Sequence, residues 1–440
     1  MTTAGLVVER QGARRTASAV IVLQLFALTI MLFPSDTVIQ PIGANGYVAS
    51  LVALTAFGLW IVAIILGFHD PRRYRSPIRV GVSLLWLASL VSYMVMNRQD
   101  RSVAEVLSAD RWLIQLAAVT GVIFVAAEFL GSLDDVKRVL RALVTGGAAC
   151  GAIAALQYWF RLDLSSYLRS LPGFSLNADT AAITTRASLA RVAGAAIHPI
   201  ELGVVAGMLL PLALYLALYD RERSPLRRWV PALGIFLAIP VSVSRSGVIA
   251  VVIAIAFFLV MLPPIRRVVG LLFAPLVLAM VFMAAPGIIG TLTSFFAAGT
   301  SDGSVSTRVD DLSLVERFVS HAPLWGRGGG SYLARNSFEI LDNQYYKTAI
   351  ELGLVGLVVV ILYFGMPVII AVAVHRRSGD PDLRTLCGAL AGAAAAAVVC
   401  SGTFDSFSFP MFTGVSALVI GLIGAVWRLQ QTTNSLRGAS

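Results

Sequence analysis

An arginine lies in a short polar turn between two strongly apolar segments. Residues 230–241 and 248–262 flank the sequence SVSRSG, whose arginine is Arg245. A guanidinium held near hydrocarbon costs a few kcal/mol unless it reaches water or an anion. Two interpretations follow. Arg245 either extends to the interface as a snorkelling side chain or is a fixed cation for a lipid-borne phosphate, which guanidinium binds through two parallel hydrogen bonds.

A second polar stretch, ARVAGAAIHPIEL, leads into another apolar segment and contains Arg191, His198 and Glu201. Glu201 falls inside the apolar segment, and an intramembrane carboxylate is a candidate functional residue. The structural alternative is that Glu201 pairs with an arginine and holds the end of the helix. For His198 the alternative is a hydrogen-bonding role at the helix terminus.

A third polar stretch, LDNQYYKTAIELGLVGL, begins a few residues before a later apolar segment and contains Asp342, Asn343 and Tyr345. A carboxylate at the membrane surface is suited to take a proton from a sugar hydroxyl, which would make Asp342 a general base. The structural alternative is a helix N-cap beside a belt of interfacial aromatic residues.

Apolar residues dominate the whole chain. Of its 440 residues, 57% are hydrophobic and 13% are charged, and the mean hydropathy is +0.81. This composition excludes a soluble enzyme, a disordered chain and a secreted disulfide scaffold. The three cysteines, Cys150, Cys387 and Cys400, all fall in apolar segments, so a disulfide framework is not expected.

Twelve apolar segments of roughly the length that crosses a bilayer predict an all-α, polytopic membrane protein. Each segment is expected to be a helix, because backbone groups in hydrocarbon must bond within their own segment. The segment at 230–241 is short and is expected to be tilted or broken near Pro240. The twelve segments are 17–33, 47–68, 80–96, 113–131, 142–160, 198–219, 230–241, 247–262, 268–290, 348–374, 385–402 and 411–427.

Basic residues are concentrated on one side of these segments. With the N-terminus inside, the inner connections and tails carry 21 of the 34 Lys and Arg in 75 residues, whereas the outer loops carry 13 in 136 residues. The positive-inside rule therefore predicts that both termini are cytosolic. No small-residue cleavage site follows the first apolar segment, so we expect it to remain as a helix.

Two outer loops, 161–197 and 291–347, are much longer than the other connections. Apolar residues recur at helical spacing within RLDLSSYLRSL in the first loop and DLSLVERFVSHAP in the second. We expect short amphipathic helices on the membrane surface, which either pack at the interface or cover an active site. The chain is predicted to form one transmembrane domain over residues 1–440.

Metal and nucleotide sites are not indicated. The four histidines are scattered and lack the spacing of metal ligands. The GRGGG sequence at 326–330 lacks the spacing and the following Lys and Ser or Thr of a phosphate-binding loop. We therefore expect neither a metal nor another cofactor.

The order of these motifs resembles the O-antigen ligase and O-antigen polymerase superfamily of bacterial membrane glycosyltransferases. An Arg-x-x-Gly…His-Pro stretch enters a helix, and a Ser-Arg-Ser-Gly turn follows it. A large outer loop then carries Pro-Leu-Trp-Gly-Arg-Gly at 323–328 and ends in Asp-Asn-Gln-Tyr and Glu-Leu-Gly-Leu-Val-Gly. The resemblance covers about residues 185–365.

The resemblance implies metal-independent transfer of a glycan from a polyprenyl diphosphate to an acceptor glycan, with inversion, at the outer face of the bacterial inner membrane. Arg191 and Arg245 would hold the diphosphate. Asp342 would be the base; it stands where many ligases have histidine, which favours the polymerase branch. Further candidates for substrate binding are Arg308, Arg317, His321, Arg327, Tyr345, His198 and Glu201.

A polytopic transporter or a flippase for lipid-linked glycans is the alternative, because twelve helices with cytosolic ends are also a common transporter layout. Against it, the two halves of the chain show no matching segments, and polar residues concentrate at the outer surface rather than at mid-membrane. Transfer to a protein Ser or Thr, rather than to a glycan, also stays open.

Overall fold

A computed structural model describes residues 3–43, 46–70, 76–98, 100–177, 183–186, 189–272, 303–334 and 339–437. These residues are mostly helical. The helices are α1 (Thr3–Leu32), α2 (Val48–Ile65), α3 (Pro77–Met96), α4 (Val103–Phe129), α5 (Leu133–Phe160), α6 (Ser165–Arg169), α7 (Pro199–Tyr219), α8 (Pro225–Val241), α9 (Arg245–Met261), α10 (Gly303–His321), α11 (Gln344–Glu351), α12 (Gly353–Arg377), α13 (Pro381–Cys400) and α14 (Pro410–Arg437).

Eight of the described helices are long and apolar enough to cross a membrane: α2, α3, α4, α5, α7, α12, α13 and α14. The apolar part of α1 and all of α9 are shorter apolar helices. The predicted short segment at 230–241 lies in α8, which contains Pro231 and Pro240. An all-helical membrane protein is thus confirmed. The count of twelve spans stays a prediction, because most of the segment at 268–290 lies outside the described residues.

The long outer loops contain short elements. RLDLSSYLRSL contains α6, and residues 311–321 of DLSLVERFVSHAP form the C-terminal part of α10. The described residues also contain four short strands, which the sequence analysis did not predict. Strand β1 (Thr37–Ile39) pairs antiparallel with β2 (Phe174–Leu176), and β3 (Ile183–Arg186) pairs antiparallel with β4 (Leu189–Val192). The strands therefore anchor the 161–197 loop to the first outer loop and fold it back on itself.

Small residues let the helices that carry the polar motifs approach closely. A Cβ atom added at Gly247 of α9 would lie 2.9 Å from the Cα of Gly203 in α7. On another face of α9, a Cβ at Gly392 of α13 would overlap the backbone oxygen of Ala254. Close backbone contact of this kind drives helix association in membranes. It holds the N-terminus of α9 in a fixed place between α7 and α13.

The loops that are predicted to lie outside gather at one end of the helices, called here the loop end. The Ser35 amide donates to the Ala195 oxygen at 2.9 Å, and the Gly328 amide donates to the hydroxyl of Ser92 at 3.0 Å. The loop end therefore comprises the described residues among 34–46, 97–102, 161–198, 242–244, 303–343 and 401–409.

The opposite end of the helices is held by buried ion pairs. Glu128 of α4 accepts hydrogen bonds from Trp60 at 2.8 Å and from Arg79, and its carboxylate lies 2.6 Å from Nε2 of His69. Lys137 lies 2.6 Å from Asp382 in the same layer. Glu128 thus joins α2, α3 and α4 at this end and is a structural residue.

Candidate active site

Arg191 and Arg245 meet at one turn of the loop end. Arg191 lies on β4, and its Nε donates to the backbone oxygen of Ser242 at 3.4 Å. Ser242 ends α8, and Arg245 begins α9 only three residues later. Both arginine side chains are partly buried. The contact therefore brings two guanidinium-bearing segments that are distant in sequence to the same helix terminus.

The turn between α8 and α9 is tight and strained. Val243, a β-branched residue that is 4% exposed, has a positive φ of 44°, which is rare for such a side chain. Its amide donates to the oxygen of Pro240 at 3.1 Å, and the Ser244 hydroxyl caps α9 by accepting from the Gly247 amide at 3.2 Å. Strain of this kind concentrates at functional sites. The positive end of the α9 dipole lies at this turn and favours an anion.

His198 lies beside this turn as a neutral hydrogen-bond donor. It is the N-cap of α7, where its Nδ1 accepts from the Ile200 amide at 3.2 Å. Burial and the charge of Arg191 lower the pKa of His198 to about 4, against an opposing effect of Asp405. At neutral pH the ring is therefore uncharged, and since Nδ1 accepts, the proton is on Nε2. The structural alternative for His198, a hydrogen bond at the helix terminus, is therefore present, while its substrate-binding role stays a prediction.

Glu201 joins two helix N-termini. Its side chain is completely buried, and it accepts from the Ile197 amide at 2.9 Å through Oε2 and from the Phe412 amide at 3.0 Å through Oε1. It therefore ties the start of α7 to the first turn of α14. The contacts shown for this carboxylate are backbone amides rather than the arginine that the structural alternative expected. A substrate contact for Glu201 stays a prediction.

Asp342 is exposed at the loop end, one residue before a helix cap. The N-cap of α11 is Asn343, whose Oδ1 accepts from the amides of Tyr345 at 2.9 Å and Tyr346 at 3.3 Å. The capping role considered for Asp342 thus belongs to its neighbour. Tyr345 donates its hydroxyl to the Val398 oxygen of α13 at 2.6 Å, so this phenol fixes α11 in place.

Backbone contacts connect Asp342 with the arginine turn. The Gln344 amide donates to the Ser401 oxygen at 2.9 Å. One residue earlier, the thiol of Cys400 lies 3.5 Å from the oxygen of Ser246, the residue after Arg245. The segments that carry Asp342 and Arg245 therefore both contact the C-terminal end of α13.

The other predicted basic residues are distributed over the cover of the site. Arg317 and His321 are exposed near the end of α10, where the Arg317 guanidinium lies 5.4 Å from the Phe318 ring and His321 Nδ1 lies 2.7 Å from the Arg317 oxygen. Arg327 forms an ion pair with Glu105 of α4. The side chain of Arg308, like Arg335 altogether, lies outside the described residues.

A charged pair that the sequence analysis missed lies next to His198. Lys347 of α11 lies 3.3 Å from Asp405 and donates to the hydroxyl of Ser408 at 2.8 Å. Asp405 belongs to the connection between α13 and α14, in the sequence GTFDSFSFP. The sequence signal that could have identified Asp405 is an acidic residue in a short connection between two apolar segments.

The described residues contain no group of three His, Cys, Asp or Glu side chains that could hold a metal ion. The polar side chains described at the loop end include arginine, histidine and carboxylate groups. Such groups suit the transfer of a group from a phosphate leaving group.

Residues 230–361 match the O-antigen ligase family model. This range includes the turn with Arg245, Arg327 and Asp342, whereas Arg191, His198 and Glu201 lie before it. The resemblance to the O-antigen ligase and polymerase superfamily is therefore confirmed. A comparison with curated proteins found no match. The family match and the eight membrane-length helices indicate a multi-pass bacterial membrane protein with an enzyme activity of the O-antigen ligase or polymerase type.

Proposed function

We propose that the chain transfers a glycan from a polyprenyl-diphosphate carrier to an acceptor glycan at the outer face of the bacterial inner membrane. Both termini would lie in the cytosol, so that the loop end faces outward. The reaction would need neither a metal nor a nucleotide sugar. The family match at 230–361 and the predominance of Lys and Arg at the opposite end of the helices support this orientation and reaction class.

The contact from Arg191 to the Ser242 oxygen is the observation that carries this proposal. It gathers two guanidinium groups and a helix N-terminus at the boundary of the apolar layer. A diphosphate is the anion that matches this arrangement, because guanidinium binds phosphate oxygens through two parallel hydrogen bonds and helix N-termini attract them. The apolar helices beside the turn suit a lipid carrier.

In the proposed step, the acceptor oxygen forms a bond to the anomeric carbon from the side opposite the diphosphate. The bond from that carbon to the diphosphate oxygen breaks, and its electron pair leaves with the diphosphate. The acceptor proton passes to the carboxylate of Asp342. The configuration at the sugar carbon is thereby inverted.

Three side chains stabilise the charge that develops on the leaving group. Arg191 and Arg245 neutralise the diphosphate in a partly buried site, where fixed charges act more strongly than in water. His198 donates Nε2–H to a phosphate or sugar oxygen without adding charge.

The two long loops provide the cover. Helix α6 belongs to the 161–197 loop and α10 to the 291–347 loop, and both lie at the loop end. Arg317 and His321 are exposed on α10 and would contact the glycan. Holding the two sugars close together reduces the entropic cost of the reaction.

The test is glycan transfer by the purified full-length protein in detergent, with a synthetic polyprenyl-diphosphate glycan as donor. The wild type should release polyprenyl diphosphate and extend the acceptor. Arg245→Ala should lower the rate by about 100-fold or more, as expected when a charge that stabilises the transition state is removed. Arg98→Ala, at an exposed arginine of the same end, is the matched control and should retain the wild-type rate.

Two results would contradict the proposal. An intact donor after incubation with active wild-type protein, together with donor translocation in vesicles, would indicate a transporter or flippase. A wild-type transfer rate in folded Arg245→Ala would remove the arginine pair from the mechanism.

A further inference from the structure

A cavity of about 200 Å³ lies between α1, α2, α4 and α14, with its polar residues toward the loop end. Its apolar walls come from all four helices, and Arg191, Arg245 and Asp342 do not line it. The apolar lining residues that matter here are Phe26, Ile30, Ala53, Ala118, Val122 and Gly414. The cavity is therefore separate from the candidate active site.

Arg111 lies at the rim of this cavity, at the level where α4 leaves the apolar layer. The next sixteen residues of α4, 112–127, contain no charged side chain. Arg111 is exposed, and it lies on the same face of α4 as Leu107 and Ile114, which are 51% and 37% exposed. Its guanidinium is thus expected at the depth of lipid head groups, at the end of the uncharged part of α4.

Two other polar side chains at the rim are hydrogen-bonded to protein partners. Gln115 donates to the Phe407 oxygen at 2.7 Å, and Asn177 donates to the hydroxyl of Tyr47 at 2.5 Å. For Arg111, by contrast, no described residue accepts a hydrogen bond or forms an ion pair. A cation at this depth is costly unless it finds an anion or water, and the exposed guanidinium of Arg111 is accessible to either.

We infer that this cavity binds a lipid phosphate with a single long apolar chain, the phosphate on Arg111 and the chain between α1 and α4. From Arg111 to Val122 the helix descends about 16 Å, which is half of a bilayer core. The volume of about 200 Å³ is below the roughly 300 Å³ of common small-ligand pockets. It therefore favours one chain over the paired acyl chains of a phospholipid.

The cavity shares an element with the candidate active site, although the two are separate. The connection 401–409 supplies Phe407 and Ser408 to the cavity, and its Asp405 pairs with Lys347 beside His198. The inference does not depend on the proposed transfer reaction, because it rests on the lining of the cavity and on Arg111.

Binding of polyprenyl monophosphate to the purified full-length protein, followed by native mass spectrometry, tests the inference. Arg111→Gln should weaken binding by about tenfold, as loss of a charge-assisted contact predicts. Ala118→Leu and Ser50→Leu, which fill the cavity from α4 and α2, should weaken it at least as much. Arg98→Gln and Ala104→Leu, at exposed positions, are the matched controls and should bind as the wild type does.

The same measurement on Arg245→Ala separates this site from the proposed diphosphate site, because the Arg111-dependent binding should persist there. Competition on the wild-type protein gives a readout that needs no folded variant: phosphatidylglycerol should displace the polyprenyl phosphate only weakly. Unchanged binding in folded Arg111→Gln and in both cavity-filling variants would overturn the inference. Equal, Arg111-dependent binding of phosphatidylglycerol would also overturn it, since the site would then take ordinary phospholipid.

Discussion

Nε of Arg191 donates to the backbone oxygen of Ser242, so the strand β4 is held against the turn that begins α9. This one contact does two things. It fixes the Nε edge of the guanidinium at the turn, and it keeps the charge of Arg191 at the same place. A lysine at this position could keep the charge but could not make both kinds of contact.

Arg191→Lys should therefore lower kcat/KM for the lipid-linked donor by about tenfold, the value of one charge-assisted hydrogen bond. Arg191→Gln, which also loses the charge, should lower it further. Steady-state kinetics with the synthetic donor measure both. Arg98→Lys is the control for a general effect of replacing arginine at the loop end. Equal kcat/KM values for wild type, Lys and Gln variants would contradict the role of Arg191.

Asp342→Asn should lower kcat by about 10²–10⁴-fold, the usual range for loss of a general base, with little change in the KM of the donor. Asp342→Glu should recover part of the rate, because it keeps a carboxylate. Asp100→Asn, at another exposed acid of the loop end, should leave kcat unchanged. A normal kcat in Asp342→Asn combined with a large loss in Asp405→Asn would move the base to Asp405.

The depressed pKa of His198 predicts a pH dependence of stability. The folded protein holds this ring neutral down to a pKa of about 4, whereas an unfolded histidine takes up its proton near its usual value of 6.5. The unfolded state thus binds more protons between these values, so the stabilisation is present above pH 6.5 and is lost as the pH falls toward 4. Thermal unfolding in detergent from pH 4 to 7 should show the midpoint rising with pH.

His198→Gln should flatten that rise, because it removes the titrating group. Replacement of the exposed His321 by Gln is the matched control and should leave the slope as in the wild type. An identical slope in His198→Gln would show that other groups cause the pH dependence.

Glu201→Ala should destabilise the fold by about 2–5 kcal/mol, since it leaves the amides of Ile197 and Phe412 buried without their acceptor. Glu201→Gln keeps one acceptor oxygen and should cost less. The midpoint of thermal unfolding and the transfer rate per folded molecule separate the two possible roles. If Glu201 is structural, Glu201→Gln should transfer at close to the wild-type rate once folded; a loss of rate without loss of stability would show contact with substrate.

The membrane-crossing helices could be predicted from the sequence, because hydrophobicity over about 20 residues is a local property that decides helix formation in lipid. Helix α6 and the C-terminal part of α10 could be predicted from the helical spacing of their apolar residues, which is also a local property. The pairs β1–β2 and β3–β4 could not be predicted in this way, since each strand has only three or four residues. Strands β1 and β2 are also far apart in the sequence. Strands of that length carry no clear periodicity.

Candidate residues could be named from their types, but their partners could not. Glu201 was identified as a buried carboxylate, and an arginine partner was considered; the structure gives it the Phe412 amide, 211 residues later. The structural role of Glu128 could not be predicted from its local sequence, because its partners Trp60 and Arg79 are on other helices. Likewise, the cavity beside Arg111 could not be predicted, because α1, α2 and α14 form its other walls. Long-range packing decides each of these contacts.

The backbone around Gly326 and Gly353 interlocks the second long loop with the start of α12. Arg327 and Gly328 donate their amides to the Glu351 oxygen, and the Leu354 amide donates to the Pro323 oxygen at 2.8 Å. No Cβ would fit at either glycine without meeting backbone atoms of the other segment. Residues 323–328 are therefore held in fixed contact with the start of α12. If α10 moves to admit a large sugar chain, we expect the movement to occur about His321, where α10 ends and the fixed segment begins.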